Sequence, residues 1–286
     1  MRPAYLTDQA IRAFIKSALA EDIGEGDFST LAAVPASKSS KAQLLVKDDG
    51  IIAGLELAER IFHEVDPALH VTFFKRDGVP IKNGDVAFTV EGTSQAILSA
   101  ERLVLNCMQR MSGIATYTNQ LCKLIEGTGA QLMDTRKTTP NFRLMEKWAV
   151  ALGGGMNHRF ALYDMVMLKD NHVDMAGGIR AAIENTKKYL AEKHKELRIE
   201  IETRNLKEVE EVLQVGGVNV IMLDNMSREE MKKAVLMIGR RFKTEASGGI
   251  TESNLRSVAE CGVDYISVGA LTHSVKSLDL SLKAEK

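Results

Sequence analysis

Between about residues 130 and 268 the chain alternates short hydrophobic runs with stretches of helical periodicity, and this rhythm restricts its fold more than any other feature. The runs are 131–134, 165–168, 198–202, 218–223, 243–247 and 265–268. Helical patterns lie between them, among them 206–215, 229–238 and 252–261. Strand alternating with helix predicts parallel βαβ units with right-handed crossovers. Six runs suit a barrel-like or open α/β arrangement better than a closed eight-stranded barrel.

The first hundred residues follow another rhythm. A helix opens at Thr7 or Asp8, with Ile11, Phe14, Ile15, Ala18 and Leu19 on one face, and stops near Gly24 and Gly26. Strand-like runs at 42–47, 51–53, 71–74 and 86–90 follow, with a helix over 55–65 after the second. This predicts a small mixed domain with helices against an antiparallel or mixed sheet. A long helix then bridges the regions. Ile97, Ala100, Val104, Cys107, Met108, Met111 and Ile114 form its apolar stripe, while Arg102, Asn106 and Gln109 form a polar one. For Asn106 and Gln109 the expected setting is a solvated face.

Composition removes several function classes. A net charge of −1 creates no global field for nucleic acid or an anionic membrane, so any cationic site must be local. Cys107, Cys122 and Cys261 match neither a disulfide framework nor a zinc pattern and are expected as thiols in a reducing compartment. Asp8, Arg12 and Lys16 interrupt any signal-peptide core, and no segment reaches membrane-spanning length. The expected location is cytoplasmic.

Each hydrophobic run ends in residues able to handle ions: Arg136-Lys137, Lys169, Glu202, Asp224, Ser247-Gly248-Gly249 and Gly269-Ala270. In α/β barrels such ends converge on one mouth. Alternation puts Glu200 with Glu202, and Glu245 with Ser247, on shared faces pointing inward. Inward carboxylates need a cation or metal, and the lysines and arginines of the mouth are the expected partners. A purely structural ion-pair network is the competing reading. The glycines at 153–155 beside His158 and Arg159 also admit two readings, a backbone approach to an anion or a helix C-cap. Arg136, Lys137, His158, Arg159 and Lys169 make a cation set suited to carboxylates and phosphates. Glu202 and Asp224 beside it suggest Mg²⁺. The turn Ser247-Gly248-Gly249, before a helix starting near Thr251, offers N–H donors to a monophosphate. His172 and His273 read as structural.

Seven segments in order, ALAEDIGEGDFST, ERLVLNCMQRMSGIATYT, DTRKTTP, GGGMNHRFALYDMVMLKDNH, VIMLDNM, EASGGI and DYISVGALTHS, closely resemble the quinolinate phosphoribosyltransferase family from about residue 18 to 282. The resemblance implies an N-terminal α/β sandwich over 1–112, to which a tail, 275–286, returns, and an open α/β barrel over 113–274. It implies transfer of phosphoribose from phosphoribosyl pyrophosphate to quinolinate with loss of pyrophosphate and carbon dioxide, giving nicotinate mononucleotide for NAD biosynthesis, with Mg²⁺ accompanying the pyrophosphate. It further implies that Arg136, His158, Arg159 and Lys169 hold quinolinate, with Arg102 supplied by the other subunit of a homodimer. Lys137, Glu202 and Asp224 would handle ribose, pyrophosphate and metal. Ser247, Gly248, Gly269 and Ala270 would hold the 5′-phosphate, and Thr135, Gly249 and Val268 are further substrate-binding candidates. Ala161 departs from the pattern, since glycine is frequent there.

Two adjacent carboxylates call for a dense Arg/Lys/His cluster, and no nucleophilic triad is needed for such a transfer. The rival readings are a relative of the same fold with another substrate, such as a paralogue associated with molybdenum uptake, and a phosphosugar-binding barrel without turnover. A purely structural oligomer does not account for the polar strand ends.

Overall fold

The computed structural model describes residues 3–285. Contacts divide the chain into two compact units: one takes in residues up to 119, 137–154 and from 270 onward, the other residues 120–136 and 155–269.

The first unit opens with helices α1 (Asp8–Ile23) and α2 (Phe28–Ala33), the second of which the periodicity did not predict. Thr7 caps α1 by accepting the Ala10 N–H. Strands β1 (Ser39–Val46) and β2 (Gly50–Ile51) precede helix α3 (Leu55–Val65). Strands β3 (His70–Phe73), β4 (Pro80–Ile81) and β5 (Val86–Thr93) lead into α4 (Ser94–Leu124). The Asp77 carboxylate accepts the Leu55 and Glu56 N–H groups at the start of α3, so a residue distant in sequence caps this helix. Ala42, Leu44 and Val46 alternate into the core from β1. From α3, Phe62 meets Phe88 of β5 edge to face at 5.9 Å, which seats the helix on the sheet.

Along the rest of the chain lie β6 (Gln131–Met133), α5 (Arg143–Leu152), β7 (Val166–Leu168), α6 (Asp170–Ala176), α7 (Ile179–Glu192) and β8 (Ile199–Thr203). They are followed by α8 (Leu206–Val215), β9 (Val220–Asp224), α9 (Arg228–Ile238), β10 (Lys243–Ser247), α10 (Glu252–Ala259), β11 (Tyr265–Ser267), α11 (Ala270–His273) and β12 (Leu280–Ala284). The antiparallel sheet of the first unit has the order β12-β1-β5-β3, so the last strand returns to the first. Gln109, expected on a solvated face, instead donates from Nε2 to Leu280 O at 2.8 Å and accepts the Leu278 N–H, holding that returning strand.

The second unit is the six-stranded parallel sheet read from the sequence, in the order β6-β11-β10-β9-β8-β7. Consecutive strands β6 and β7 lie at its opposite edges, so the arrangement is open. Met156 forms a parallel bridge to Met133, which lays the segment before His158 alongside β6.

The glycine run lies at the end of α5. Gly153 is its C-cap with an ordinary helical φ of −75°, and a methyl there would collide with Ala115 O and come within 2.8 Å of Thr118 Cβ. This glycine therefore serves the close approach of α5 to α4, which favours the helix-cap reading over the anion reading. Gly153→Ala is expected to cost about 1–3 kcal/mol through overpacking. Urea denaturation measures it, and an unchanged midpoint would contradict this packing role.

Candidate active site

Register decides which side chains share the inner face of the parallel sheet. Glu200 pairs with Val220 and Glu202 with Met222, while Met222 pairs in turn with Glu245, and Asp224 with Ser247. In-register parallel neighbours point the same way. One face thus carries Glu200 and Glu202 of β8, Asp224 of β9, and Glu245 and Ser247 of β10.

The outer tier of this face lies at the carboxyl ends of the strands. Thr135 and Arg136 follow β6, Lys169 follows β7, and Val268 and Gly269 follow β11. Burial, then repulsion from Asp224, raises the Glu202 pKa, and Lys169 partly offsets the rise. Glu202, Asp224 and Lys169 therefore share one electrostatic neighbourhood. Burial, then the charge of Arg136, lowers the Arg159 pKa, which brings these two guanidinium groups together as well. Two cations held close enough to repel one another suit a ligand with more than one negative charge.

Lys169 is placed by its own backbone. Its N–H donates to His172 Nδ1 at 2.9 Å and its carbonyl accepts the His172 N–H, at the start of α6. His172 is thus a support for Lys169. Asn225 supports Asp224 in the same way. It adopts a left-handed backbone, φ 52°, and its Nδ2 donates to Asp224 Oδ2 at 2.6 Å. A methyl on Gly248, whose φ is +88°, would strike the Asn225 amide, so the loops after β9 and β10 interlock there. Thr251 caps α10 just beyond, in a capping box with Asn254.

The inner tier holds a buried trio. His158 Nε2 lies 2.9 Å from Glu200 Oε2 and 3.4 Å from Glu245 Oε2. The partner expected for these glutamates was a lysine or arginine of the mouth. Instead the bridge at Met156 feeds His158 inward, and Asp134 fixes that turn by accepting the His158 N–H at 2.9 Å and Asn157 Nδ2 at 2.7 Å. Burial pulls the His158 pKa down, but hydrogen bonds and charge from Glu200 and Glu245 outweigh it and push it up to about 10. Burial, then Glu200, pushes Glu245 up to about 7. The Arg159 N–H donates to His158 Nδ1 at 2.8 Å, which turns Nε2 of the ring toward the two glutamates. The three ligating atoms lie within 4.8 Å of one another, a spacing that would suit a metal ion. A metal-bound histidine, however, donates its other N–H outward, and here that nitrogen accepts. A cavity of about 60 Å³ adjoins the trio, lined also by Met133, Met165, Arg198, Val220 and Tyr265.

Lys137, Ala270 and Arg102 belong to the first unit. Lys137 is exposed in the segment after β6, Ala270 opens α11, and Arg102 is exposed on α4, as is Asn106. Ala161 donates its N–H to Asp164 Oδ1 at 2.7 Å within an exposed turn. Asn225 and Asp134 were not singled out in the sequence. The Asp-Asn pair closing a strand was the available signal for Asn225, because asparagine tolerates the left-handed region. Nothing local marked Asp134, whose partners come from a segment more than twenty residues on.

Residues 27–112 match the N-terminal domain of quinolinate phosphoribosyl transferase, and residues 114–283 match its C-terminal domain. The chain belongs to the quinolinate phosphoribosyltransferase family. Similar relatives include the chloroplastic nicotinate-nucleotide pyrophosphorylase [carboxylating] of Oryza sativa subsp. japonica, 46% identical over 96% of this chain and 78% of that protein. The probable nicotinate-nucleotide pyrophosphorylase [carboxylating] of Bacillus subtilis is 40% identical over 92% of this chain and 89% of its own. Among solved structures, NadC from Streptococcus pyogenes superposes with a TM-score of 0.91 at 38% identity, covering 98% of this chain and 99% of that one. As a member of this family the chain has the expected mixed α/β fold, with an antiparallel and an open parallel sheet.

Within the family fold, the inner trio carries a stability cost that can be measured. His158→Ala leaves Glu200 and Glu245 buried without their nitrogen partner and is expected to cost about 3–5 kcal/mol. A fall in urea midpoint equivalent to within about 0.5 kcal/mol of wild type, as for an ordinary surface change, would contradict the trio's role.

Proposed function

We propose that this protein transfers the phosphoribosyl group of phosphoribosyl pyrophosphate to quinolinate. Pyrophosphate and carbon dioxide leave, and nicotinate mononucleotide forms for NAD biosynthesis. The observation that carries this reading is the shared strand-end neighbourhood: Arg136 beside Arg159, and Glu202 and Asp224 beside Lys169. The first cation pair suits a dicarboxylate, and the acids suit a sugar that becomes cationic. Arg136, Arg159 and Lys169 bind the carboxylates of quinolinate and aim its ring nitrogen at the anomeric carbon. Both ring nitrogens of His158 already have partners within the chain, so His158 holds the Arg159 backbone and meets quinolinate only if one of those bonds opens.

As the C–O bond to pyrophosphate breaks, positive charge grows on the ribose, and the fixed carboxylates of Glu202 and Asp224 stabilise it. The N–C bond forms, and the positive charge of the new pyridinium nitrogen stabilises the electron pair left on the adjacent carbon when its carboxylate departs as carbon dioxide. A proton from solvent then fills that carbon. Ser247, Gly248 and Gly249, with Val268, Gly269 and Ala270, hold the 5′-phosphate through backbone N–H groups and a hydroxyl, while Thr135 and Lys137 receive ribose and pyrophosphate oxygens.

Glu202 and Asp224 fit Mg²⁺, since Asp224 raises the cost of charging Glu202 and a cation between them would relieve it. Bound there with pyrophosphate, the ion would neutralise charge on the leaving group. No helix among the described residues is long and apolar enough to cross a membrane. We assign the protein to the cytoplasm, a reducing compartment in keeping with three free thiols. Its partners are the two small-molecule substrates and a second copy of itself, with a higher oligomer left open. Neither nucleic acid nor membrane is a partner.

Incubation with quinolinate, phosphoribosyl pyrophosphate and Mg²⁺ is expected to yield nicotinate mononucleotide. Nicotinate lacks one carboxylate and forgoes its contacts with the half-buried guanidinium pair of Arg136 and Arg159, so its turnover should be slight. Comparable kcat/KM values for the two acids would overturn the substrate assignment.

Arg102, exposed on α4, is proposed to complete the partner's site. Arg102→Ala and Lys169→Ala homodimers should each be nearly inactive. Random pairing on co-refolding makes about half the dimers mixed, so roughly a quarter of sites should regain both residues. Activity that stays at the single-variant level, with heterodimers shown to form, would exclude the shared site.

A further inference from the structure

Thr272 has no part in the chemistry above, yet it is fully buried and its hydroxyl donates to the carbonyl of Lys137 at 2.7 Å. Its own carbonyl accepts from Arg110 Nη2. Arg110 also donates from Nη1 to Val275 O at 2.9 Å, and from Nε and Nη2 to Glu146 Oε1 at 3.2 and 2.9 Å. Glu146 is 0% exposed, and its remaining bonds go back to the Lys137 segment: it accepts the Thr139 N–H at 3.0 Å and the Thr139 hydroxyl at 2.9 Å. The backbone from Lys137 to Thr139 is therefore pinned at two points. One is Thr272, the other Glu146, and Arg110 ties the two pins together.

A buried ion pair contributes little net stability, because desolvation offsets most of its Coulomb gain. What this one supplies is fixed geometry, delivered to a segment outside any helix or strand. Lysine is a point charge on a flexible stem, so its aim is only as good as the placement of its backbone. Lys137 is exposed, and what Thr272 holds is the carbonyl of its backbone. We infer that Thr272 is a positioning residue for Lys137, and that Arg110 and Glu146 hold Thr272 and Thr139 in register for it. The inference rests on the role of Lys137 toward phosphoribosyl pyrophosphate proposed above.

Thr272→Val keeps the volume and removes the hydroxyl, and Thr272→Ser restores it. With Thr272→Val, the KM for phosphoribosyl pyrophosphate is expected to rise on the order of 5- to 10-fold, the equivalent of one lost hydrogen bond. The KM for quinolinate should stay within about twofold. Thr272→Ser should return most of the loss. Thr139→Val, at an exposed position, removes the hydroxyl bond to Glu146 and should move the same constant in the same direction. It carries the test if Thr272→Val does not fold. Equal shifts in both KM values, no shift in either, or failure of serine to rescue would each overturn the inference. Lys137→Ala separates the two layers. If it leaves the phosphoribosyl pyrophosphate KM unchanged, the role of Lys137 itself is wrong. If it raises that KM while the threonine variants do not, only the positioning inference fails.

Discussion

The in-register pairing of six parallel strands is the constraint from which the site follows. Because β8, β9 and β10 keep register along their whole length, every second residue of each strand falls on one inner face. The result is two tiers with different chemistry. At the strand ends, Glu202, Asp224 and Ser247 remain partly open to solvent, and Glu202 feels the charge of Lys169. One step further in, Glu200 and Glu245 are sealed from water. A slip of one residue in any strand would exchange these carboxylates for the aliphatic residues that pack outward.

Carboxylates so deep are tolerated because the His158 ring lies against both of them. His158 reaches them through an edge segment bridged at Met156 and fixed by Asp134, so the inner tier is held from outside the six strands proper. The N–H that orients the His158 ring belongs to Arg159, whose guanidinium lies near that of Arg136. Buried charge in this molecule thus serves placement more than stability. The Arg110–Glu146 pair follows the same logic in the first unit, where it fixes a loop that no ladder of backbone bonds secures.

Much of this was legible from periodicity. The six strands, α3 and α8 fall where alternation and helical spacing put them, and the inward face of Glu200, Glu202 and Glu245 follows from a period of two. Features that depend on distant partners were not legible. His158 replaced the expected lysine or arginine opposite the glutamates, because the bridge that delivers it is one pair of backbone bonds with no sequence signature. Gln109 was expected on a solvated face, but a strand some 170 residues later covers it. Gly153 is required by the proximity of α4, which a local reading of three glycines cannot register. Helix α2 is too short for its periodicity to stand out.

In the proposed reaction the strand-end cations, and not the inner cavity, receive the dicarboxylate. The position of quinolinate in a crystal of its complex with the protein tests this most directly. Its carboxylates are expected against Arg136, Arg159 and Lys169, with the ring nitrogen turned toward Glu202 and Asp224. Quinolinate lodged instead at the opposite ends of the strands, against Arg198 and Tyr265, would contradict it.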